Sequence, residues 1–327
     1  MSELRYHPLI DDWVMVDSNR QNRPQMPSGC PFCPGSGKVP EGYTIHRYAN
    51  DFPILSATPP VPDPVATGFF DTRPAYGRCE VILYSPNHTD TFSDLSNAHM
   101  AALVDAWAGC FKDMAADPQI KYVFIFENRG EAVGTTMPHP HGQVYGIPVL
   151  PKKIQLELDA SRKHRRTHDD CLFCALLREE QAAETRIVFT NPFFTVFLPF
   201  FTEYPYGIYV MANRHVPSID NLTPEERFSL GVTLKQTSQM FDALFGIPFP
   251  TMMCMHNAPV NSDVNPEEWH FHIEFFPPMR SADKLKYNAS SETGIWFHCN
   301  PTSPEEKALE LRAAYQRIYE NPPVKEK

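Results

Sequence analysis

The sequence predicts an α+β fold of two tandem units, each with an antiparallel sheet of short strands and one long helix. The main observation is a repeat. A Cys-X-X-Cys pair, an apolar run followed by a histidine, an amphipathic stretch, a second apolar run and a His-X-His motif occur twice in the same order. The second observation is composition, because 33 prolines against 15 glycines favour short strands and proline-fixed loops over a helical bundle.

The first unit is assigned to residues 1–160 and begins its pattern at Cys30 and Cys33. Residues 80–84 form an apolar run that predicts a strand, and His88 follows it. Residues 94–96 (DLS) open an amphipathic stretch that reaches about residue 111, which predicts a helix with a polar cap. A second strand is predicted at residues 122–128, before the motif of His139 and His141.

The second unit is assigned to residues 161–327 and repeats this order from Cys171 and Cys174. A strand is predicted within residues 206–212, and His215 follows it. Residues 221–223 open the second helix, which is predicted to reach about residue 245. A strand at residues 251–257 then leads to the second His-X-His motif, so each predicted element of the first unit has a counterpart.

Composition argues against several classes of protein. The chain has 29 Lys and Arg residues against 39 Asp and Glu residues, which gives a net charge of −10. Proteins that bind nucleic acid by neutralising its backbone need clustered cations, so this class is disfavoured. The chain shows no signal peptide, and its most apolar run, residues 193–201, is short and broken by Pro199. We therefore expect a cytoplasmic protein that binds neither nucleic acid nor membrane.

Paired cysteines without a secretion signal indicate metal ligands or a redox pair before they indicate disulfides. A redox pair is expected to open a helix, but residues 30–35 (CPFCPG) continue into proline and glycine, so zinc is favoured. A structural zinc takes four thiolate or imidazole ligands. In chain order the first unit supplies Cys30, Cys33, His88 and His139.

This ligand set leaves His141 aimed into a cleft. Around it, Gly130, Gly134 and Gly142 allow close backbone approach to a ligand. Neutral donors are supplied by Asn128, Thr136 and Gln143. An imidazole among neutral donors suits attack on phosphorus, which gives a covalent phosphohistidine. No Walker-type loop is present, which argues against simple ATP binding.

Residues 138–143 (PHPHGQ) closely resemble the motif of the galactose-1-phosphate uridylyltransferase family, a branch of the histidine-triad superfamily built from two such units. The resemblance extends to residues 12–14 (DWV), 47–53 (RYANDFP), 85–88 (SPNH) and 269–272 (WHFH), and so covers nearly the whole chain. It implies two tandem HIT-like units.

The resemblance also implies roles for individual residues. His141 would attack the α-phosphorus of UDP-glucose, release glucose 1-phosphate and pass the uridylyl group to galactose 1-phosphate. The implied binding residues are Gln143, Asn128, Gly134, Thr136 and Arg20 for the phosphates, Asn50, Asp51 and Phe52 for uridine, and Lys286 and Glu292 for the sugar phosphate. Family members are homodimers with sites shared between subunits, so a homodimer is expected.

Gln143 carries an independent chemical argument. Histidine-triad hydrolases have a third histidine at this position, which can exchange a proton with a leaving group or water, whereas glutamine cannot titrate. A sugar phosphate has a second pKa of about 6, by analogy with phosphoamino acids, and needs no proton donor or base near neutral pH. Glutamine at this position therefore favours transfer between phosphates over hydrolysis.

The second metal site has two candidate ligand sets. The repeat predicts zinc bound by Cys171, Cys174, His215 and His270. Well-known bacterial family members instead hold their second metal with residues that match Glu157, His256, His270 and His272. Iron is the alternative to zinc as the second metal of this chain. Thiolates are the better zinc ligands, so the repeat-derived set is favoured.

Two rival functions remain open. A plant relative with both Cys-X-X-Cys pairs is an ADP-glucose phosphorylase, which leaves the nucleotide base open. Ser291 here replaces an aromatic residue of the sugar-contacting segment, which leaves the identity of the hexose open. The other rival is a non-catalytic, zinc-stabilised nucleotide-binding protein. The presence of His141 together with Gln143 argues against this second rival.

Overall fold

The computed structural model describes residues 2–18 and 29–320, which form fourteen strands and six α-helices. The strands are β1 (Ser2–His7), β2 (Asp12–Asp17), β3 (His46–Ala49), β4 (Thr72–Pro74), β5 (Arg78–Leu83), β6 (Tyr122–Arg129), β7 (His141–Ile147), β8 (Ile187–Thr190), β9 (Phe194–Phe197), β10 (Tyr209–Ala212), β11 (Thr251–His256), β12 (His272–Phe276), β13 (Met279–Ser281) and β14 (Lys284–Leu285). The helices are α1 (Asn97–Ala115), α2 (Lys152–His168), α3 (Leu172–Ala183), α4 (Pro224–Phe245), α5 (Ser290–Ile295) and α6 (Pro304–Tyr319).

Nine of these strands form one sheet in the order β3-β5-β7-β6-β11-β12-β10-β9-β8, and its named pairs are antiparallel. Strands β6 and β11 pair at its centre, with Arg129 opposite Thr251 and Ile125 opposite Met255. The two repeats are therefore halves of a single sheet, and the predicted α+β fold with a long helix in each unit is confirmed. The predicted boundary between residues 160 and 161 falls inside α2.

The two long helices begin where the polar caps of the sequence place them. Helix α1 follows Ser96, whose side chain accepts a hydrogen bond from the His99 amide. Helix α4 follows Thr223, which forms a reciprocal capping box with Glu226. Helix α4 ends at Phe245 as predicted, whereas α1 continues four residues past 111 because Met114 is still buried in the core.

Helices α1 and α4 pack against each other over one face of the sheet. A Cβ at Gly231 of α4 would lie 2.8 Å from the Ala101 amide nitrogen of α1, so the close approach of the two backbones requires glycine there. Trp107 of α1 and Leu234 of α4 are fully buried in this layer. The layer is the main hydrophobic core and makes one face of the sheet inaccessible.

The opposite face of the sheet is covered unevenly. A Cβ at Gly146 would contact Ile120 and Met114, so the even-numbered positions of β7 face the α1 core and the odd-numbered ones face away from it. In the second half, α2 lies over this outer face, where the Lys153 ammonium is 4.8 Å from the centre of the Phe276 ring. Among the residues that the structure describes, no helix has both the length and the apolar character needed to cross a bilayer.

Candidate active site and metal centres

The four predicted ligands of the first unit lie together. The ligand atoms of Cys30, Cys33, His88 and His139 are all within 4.8 Å of one another. The Cys33 thiol sulfur is 3.4 Å from His88 Nδ1 and 3.6 Å from His139 Nδ1. Two thiols and two imidazoles at this separation match the donor set of a structural zinc site.

The orientation of His139 is fixed from the opposite side of its ring. Its Nε2 lies 2.8 Å from the Ser85 carbonyl oxygen, which can only accept, so Nε2 carries the proton and Nδ1 presents its lone pair to the thiols. Burial also lowers the pKa of His139, which favours the neutral imidazole that a metal requires. The donor chemistry and the ring orientation therefore both fit zinc.

The same segment positions His141. Its Nδ1 lies 2.7 Å from the backbone carbonyl oxygen of His139, so Nδ1 donates and Nε2 keeps the lone pair. The ring of Phe32, between the two cysteines, lies 5.9 Å from the His139 ring and 5.8 Å from the His141 ring. The metal-ligand cluster and the candidate nucleophile thus share a backbone segment and an aromatic contact.

Gln143 points to the same open face as His141, two residues further along β7. The Tyr145 hydroxyl donates a hydrogen bond of 2.8 Å to Gln143 Oε1. Because its oxygen is bonded in this way, the Gln143 amide group is available to donate to a ligand. Sequence reasoning missed Tyr145, although its spacing of two from Gln143 placed it on the same face.

A cavity of about 650 Å³ contains His141 together with Asn128, Gly134 and Thr136. The loop between β6 and β7 forms one wall of this cavity. The register of β6 with β7 places Phe126 opposite Gln143, and its continuation places Asn128 opposite His141. The structure therefore brings these predicted residues together.

The predicted uridine-contacting residues follow β3 in the same half of the sheet. Asp51 and Phe52 line a second cavity of about 330 Å³. Asp51 accepts hydrogen bonds from the Tyr48 hydroxyl and the Lys38 ammonium, and the Asn50 side chain accepts one from the Phe52 amide. Arg20 lies outside the described residues.

Lys286 and Glu292 lie in the second unit, beside β14 and α5. The Lys286 ammonium is 3.3 Å from Glu292 Oε1 and 5.1 Å from the centre of the Tyr204 ring. Both residues are buried, and neither lines the cavity that contains His141. Within one chain, the structure does not bring these two sugar-binding candidates into that cavity.

The second Cys-X-X-Cys pair is also part of a compact cluster. Ligand atoms of Cys171, Cys174 and His215 lie within 4.8 Å of one another. His270 Nδ1 lies 3.3 Å from the Cys174 sulfur, close to the 3.2 Å of His215 Nδ1. Burial lowers the pKa of His270 to about 3, which keeps its imidazole neutral, so the donor set again fits zinc.

The residues of the alternative set form a separate cluster from which His270 is turned away. Ligand atoms of Glu157, His256 and His272 lie within 4.8 Å of one another, and His256 Nδ1 is 3.0 Å from Glu157 Oε2. Glu274 lies 3.6 Å from both His256 and His272 and is also bonded to the Lys153 ammonium. The two sets that the sequence offered as alternatives are thus two distinct groups.

Sequence reasoning missed Glu274 and Lys153. Glu274 follows His270 by four residues, as Gln143 follows His139, so extending the repeat by two residues identifies it as the counterpart of Gln143. The strand registers also define the counterpart of Asn128. Continued by two residues, the β6–β7 register places Asn128 opposite His141, and His256 lies opposite His272, so the counterpart of Asn128 is His256.

Comparison with known proteins gives one consistent family. Residues 1–151 match the family model described as galactose-1-phosphate uridyl transferase, N-terminal domain, and residues 157–288 match its C-terminal domain. The chain is 38% identical to galactose-1-phosphate uridylyltransferase of Thermotoga maritima over 95% of this chain and 98% of that protein. It is 31% identical to the Rattus norvegicus protein of the same name, over 94% of this chain and 86% of that one.

Solved structures agree with the sequence comparisons. A uridylyltransferase structure has 32% identity and a TM-score of 0.89, and covers 96% of this chain and 99% of that chain. An ADP-glucose phosphorylase from Arabidopsis thaliana has 22% identity and a TM-score of 0.74 over 95% of this chain and 99% of that chain, which shows a shared fold alone. The resemblance inferred from the sequence is confirmed: the chain belongs to the galactose-1-phosphate uridylyltransferase family of enzymes.

Proposed function

We propose that this chain exchanges UMP between UDP-glucose and galactose 1-phosphate by double displacement through a uridylyl-histidine at His141. The observation that carries the proposal is the hydrogen bond of 2.7 Å between His141 Nδ1 and the His139 carbonyl oxygen. This bond keeps the proton on Nδ1 and leaves the Nε2 lone pair for attack on phosphorus. Family membership supports the uridylyl group as the transferred group.

In the first step, His141 Nε2 forms a bond to the α-phosphorus, and the bond from phosphorus to the bridging oxygen of glucose 1-phosphate breaks. The electron pair of that bond leaves with the phosphate. In the second step, a phosphate oxygen of galactose 1-phosphate attacks the same phosphorus and the bond to Nε2 breaks. The two steps are chemically equivalent, so one set of binding groups serves both.

Gln143 donates through its amide to a non-bridging oxygen in this scheme, because Tyr145 already bonds the Gln143 oxygen. Asn128, Gly134 and Thr136 line the cavity and supply the path of the phosphates. Asp51 and Phe52 line the smaller cavity where uridine would lie, with Asn50 beside them and Arg20 on phosphate. No proton donor is needed, since both leaving groups are phosphates.

Zinc at the two cysteine-containing clusters would have a structural role. When bound, zinc in the first unit would cross-link the turn at residues 30–33 to the segment that carries His141. Zinc in the second unit would cross-link the start of α3 to the segment that leads into β12. We assign the second zinc to Cys171, Cys174, His215 and His270. In the Glu157 cluster the Lys153 ammonium already balances carboxylate charge, so this cluster remains the alternative site, with iron as the alternative metal.

A homodimer follows from the proposed roles of Lys286 and Glu292. These residues do not line the His141 cavity of their own chain, so they contact its sugar phosphate only if a second subunit supplies them. The exposed side chains of Ile295, Trp296 and Phe297 adjoin them and provide apolar surface for such a contact. A cytoplasmic location stays a prediction.

The test is intact mass at neutral or alkaline pH after mixing the protein with UDP-glucose or ADP-glucose and no acceptor. We expect a uridylyl-sized gain from UDP-glucose that is absent in His141→Asn. An adenylyl-sized gain from ADP-glucose alone would replace the assignment with an ADP-sugar phosphorylase. No gain with either nucleotide sugar would contradict the covalent mechanism.

A further inference from the structure

The amide of Gln143 has two orientations, and only one of them serves the transfer. The last torsion angle of a glutamine side chain has a broad, nearly twofold profile, so the oxygen and the NH2 group can exchange places at little cost. A phosphoryl oxygen accepts hydrogen bonds, and the amide oxygen has no proton to donate to it. The reversed orientation would therefore place two oxygen atoms against each other, and Gln143 needs a partner that selects the productive one.

Tyr145 is placed to make this selection. Along β7, His141, Gln143 and Tyr145 occupy alternate positions, so all three face away from the α1 core. The Tyr145 hydroxyl donates a hydrogen bond of 2.8 Å to Gln143 Oε1. This bond leaves the NH2 group as the end of the amide that meets a ligand. Because a donor on the amide oxygen also polarises the amide, each N–H becomes a stronger donor.

The ring of Tyr145 is held on two sides. It makes an edge-on contact with the Phe126 ring, with the ring centres 5.0 Å apart, and Phe126 lies opposite Gln143 in the register of β6 with β7. The ring also packs against an apolar cluster that includes Leu55 and Cys79. A hydroxyl on a ring that is already fixed loses little freedom when it forms a bond, so the orientation of Gln143 is set before a substrate binds.

The second unit shows that the fold does not need this hydroxyl. Tyr145 stands four residues beyond His141, and Phe276 stands four residues beyond His272 at the corresponding place in β12. The Phe276 ring contacts the Lys153 ammonium, which lies 4.8 Å from its centre. The same sheet therefore accepts phenylalanine at this position, and the hydroxyl belongs to the unit that carries the accessible histidine.

We propose that Tyr145 is a positioning residue of the transfer, which acts through Gln143 by turning the amide NH2 group towards the α-phosphoryl group. The inference rests on the proposed uridylyl transfer, since that proposal assigns Gln143 to a non-bridging oxygen of the reacting phosphorus. The same phosphorus reacts in both steps. Tyr145 therefore serves the release of glucose 1-phosphate and the attack of galactose 1-phosphate equally.

The test compares Tyr145→Phe with the control Tyr76→Phe. Tyr76 also donates its hydroxyl to a side chain of the first unit, that of Asp117, and neither of these residues lines the cavity that contains His141. The rate of adduct formation from UDP-glucose without acceptor is measured for each protein, together with kcat and KM of the exchange. We expect Tyr145→Phe to lower the adduct rate and kcat roughly tenfold, with KM for UDP-glucose changed by less than about twofold. The control should match the wild type.

A double-substitution cycle separates positioning from structural damage. Tyr145→Phe is repeated in a Gln143→Ala background, and the slow adduct formation is followed by intact mass. We expect no further loss there, because the hydroxyl then has no amide to orient. Urea unfolding of each variant verifies that the rates refer to folded protein.

Two results would overturn the role of Tyr145. One is an unchanged adduct rate in Tyr145→Phe, and the other is the same tenfold loss with and without Gln143, which would show that the hydroxyl acts independently of the amide. Failure of the wild type to form any adduct would instead overturn the proposed function.

Discussion

The two His-X-His segments of the molecule share a backbone arrangement but differ in accessibility. His141 Nδ1 is 2.7 Å from the carbonyl oxygen two residues earlier, and His272 Nδ1 is 2.8 Å from its own equivalent. His272 and Glu274 are each 1% exposed, whereas His141 and Gln143 are only partly buried. The duplicated geometry is thus a property of the fold, and a reactive imidazole requires in addition that one face stays open.

Helix α2 is the physical cause of this difference. Its residues Lys153 and Glu157 interact with the outer face of β12 and β11, where they contact Glu274 and His256. The counterpart of Gln143 is Glu274. Burial opposes ionisation of Glu274, but the neighbouring His256, Lys153 and His272 side chains hold its pKa well below the ordinary value. The second segment is therefore an ionic network of the core, whereas the first lies partly open beside a cavity.

The largest expected effect separates these two histidines directly. His141→Asn is expected to lower transfer more than about a thousandfold with an unchanged free energy of unfolding, because it removes the nucleophile. His272→Asn is expected to cost on the order of 3 kcal/mol of stability through its buried Glu274 pair. Turnover assays and urea unfolding of both variants provide the measurement.

The outcome that contradicts this comparison is near-normal turnover in His141→Asn. Equal loss of turnover in the folded His272→Asn protein would also contradict it, since the second segment would then take part in the chemistry. Asparagine retains a donor near the Nδ1 position, so neither variant removes the contact to the preceding carbonyl.

The next effect compares the two cysteine clusters. Cys30→Ser is expected to lose one zinc per chain and to lower kcat about 10- to 100-fold, because His139 lies two residues from the nucleophile. Cys171→Ser is expected to lose one zinc with a smaller change of kcat, since its cluster is far along the chain from His141. Metal content by mass spectrometry, with kcat on the same samples, checks both.

Retention of two metals per chain in Cys171→Ser would favour Glu157, His256 and His272 as the second metal site. A third metal in the wild type would show that both clusters bind, which the separation of the two groups permits. Either result changes the assignment of the second site and leaves the first unaffected.

A smaller effect concerns the pH dependence of stability. The pKa of Glu127 is raised from an ordinary 4.5 to about 7, so folding favours the protonated acid, and this contribution is lost as pH rises from about 4.5 to 7. Glutamine does not titrate, so the Glu127→Gln variant does not lose stability over this pH range. We expect it to be about 1.5 kcal/mol more stable than the wild type at pH 8, after allowance for solvent in the cavity, and equal to it near pH 4.

Urea unfolding at the two pH values measures this difference. Equal stability of Glu127→Gln and the wild type at pH 8 would contradict the raised pKa of the Glu127 carboxyl. A Glu127→Gln protein less stable than the wild type at pH 8 would indicate an unrecognised native partner of the carboxylate.

The smallest effect compares the caps of the two long helices. Thr223→Ala removes one side of the α4 capping box and is expected to cost about 1 kcal/mol, whereas Ser96→Ala removes a single hydrogen bond and should cost about 0.5 kcal/mol. The urea midpoints of the two variants give the order. A reversed order would mean that tertiary packing dominates both helix ends.

Much of the fold could be predicted because the repeat supplies each element twice. Caps at Ser96 and Thr223 placed the helix starts, and the apolar runs placed β6 and β11. The pairing of β6 with β11 could not be predicted, because strand order depends on contacts between distant segments. The separation of the two second-unit clusters was hidden for the same reason, since the direction in which His270 turns is decided by packing.

The residues of the candidate site also divide into those that could be predicted from the sequence and those that could not. Cys30, Cys33, His88 and His139 were found together because ligand chemistry and spacing restrict the choice. Glu274 and Lys153 were not found, since a glutamate within an apolar strand and a lysine at a helix start carry no motif. Their importance depends on the burial of Glu274 and on its pairing with Lys153 from a distant segment, which only the folded arrangement reveals.

The central pairing of β6 with β11 resembles a symmetric subunit interface enclosed within one chain. An antiparallel pair of equivalent strands is what two identical subunits form when they join edge to edge about a twofold axis. Because both units stand in one chain, this contact is permanent. The two halves therefore need not remain identical, and their His-X-His segments differ in burial. Separated halves would each expose a bare edge strand and should associate or aggregate.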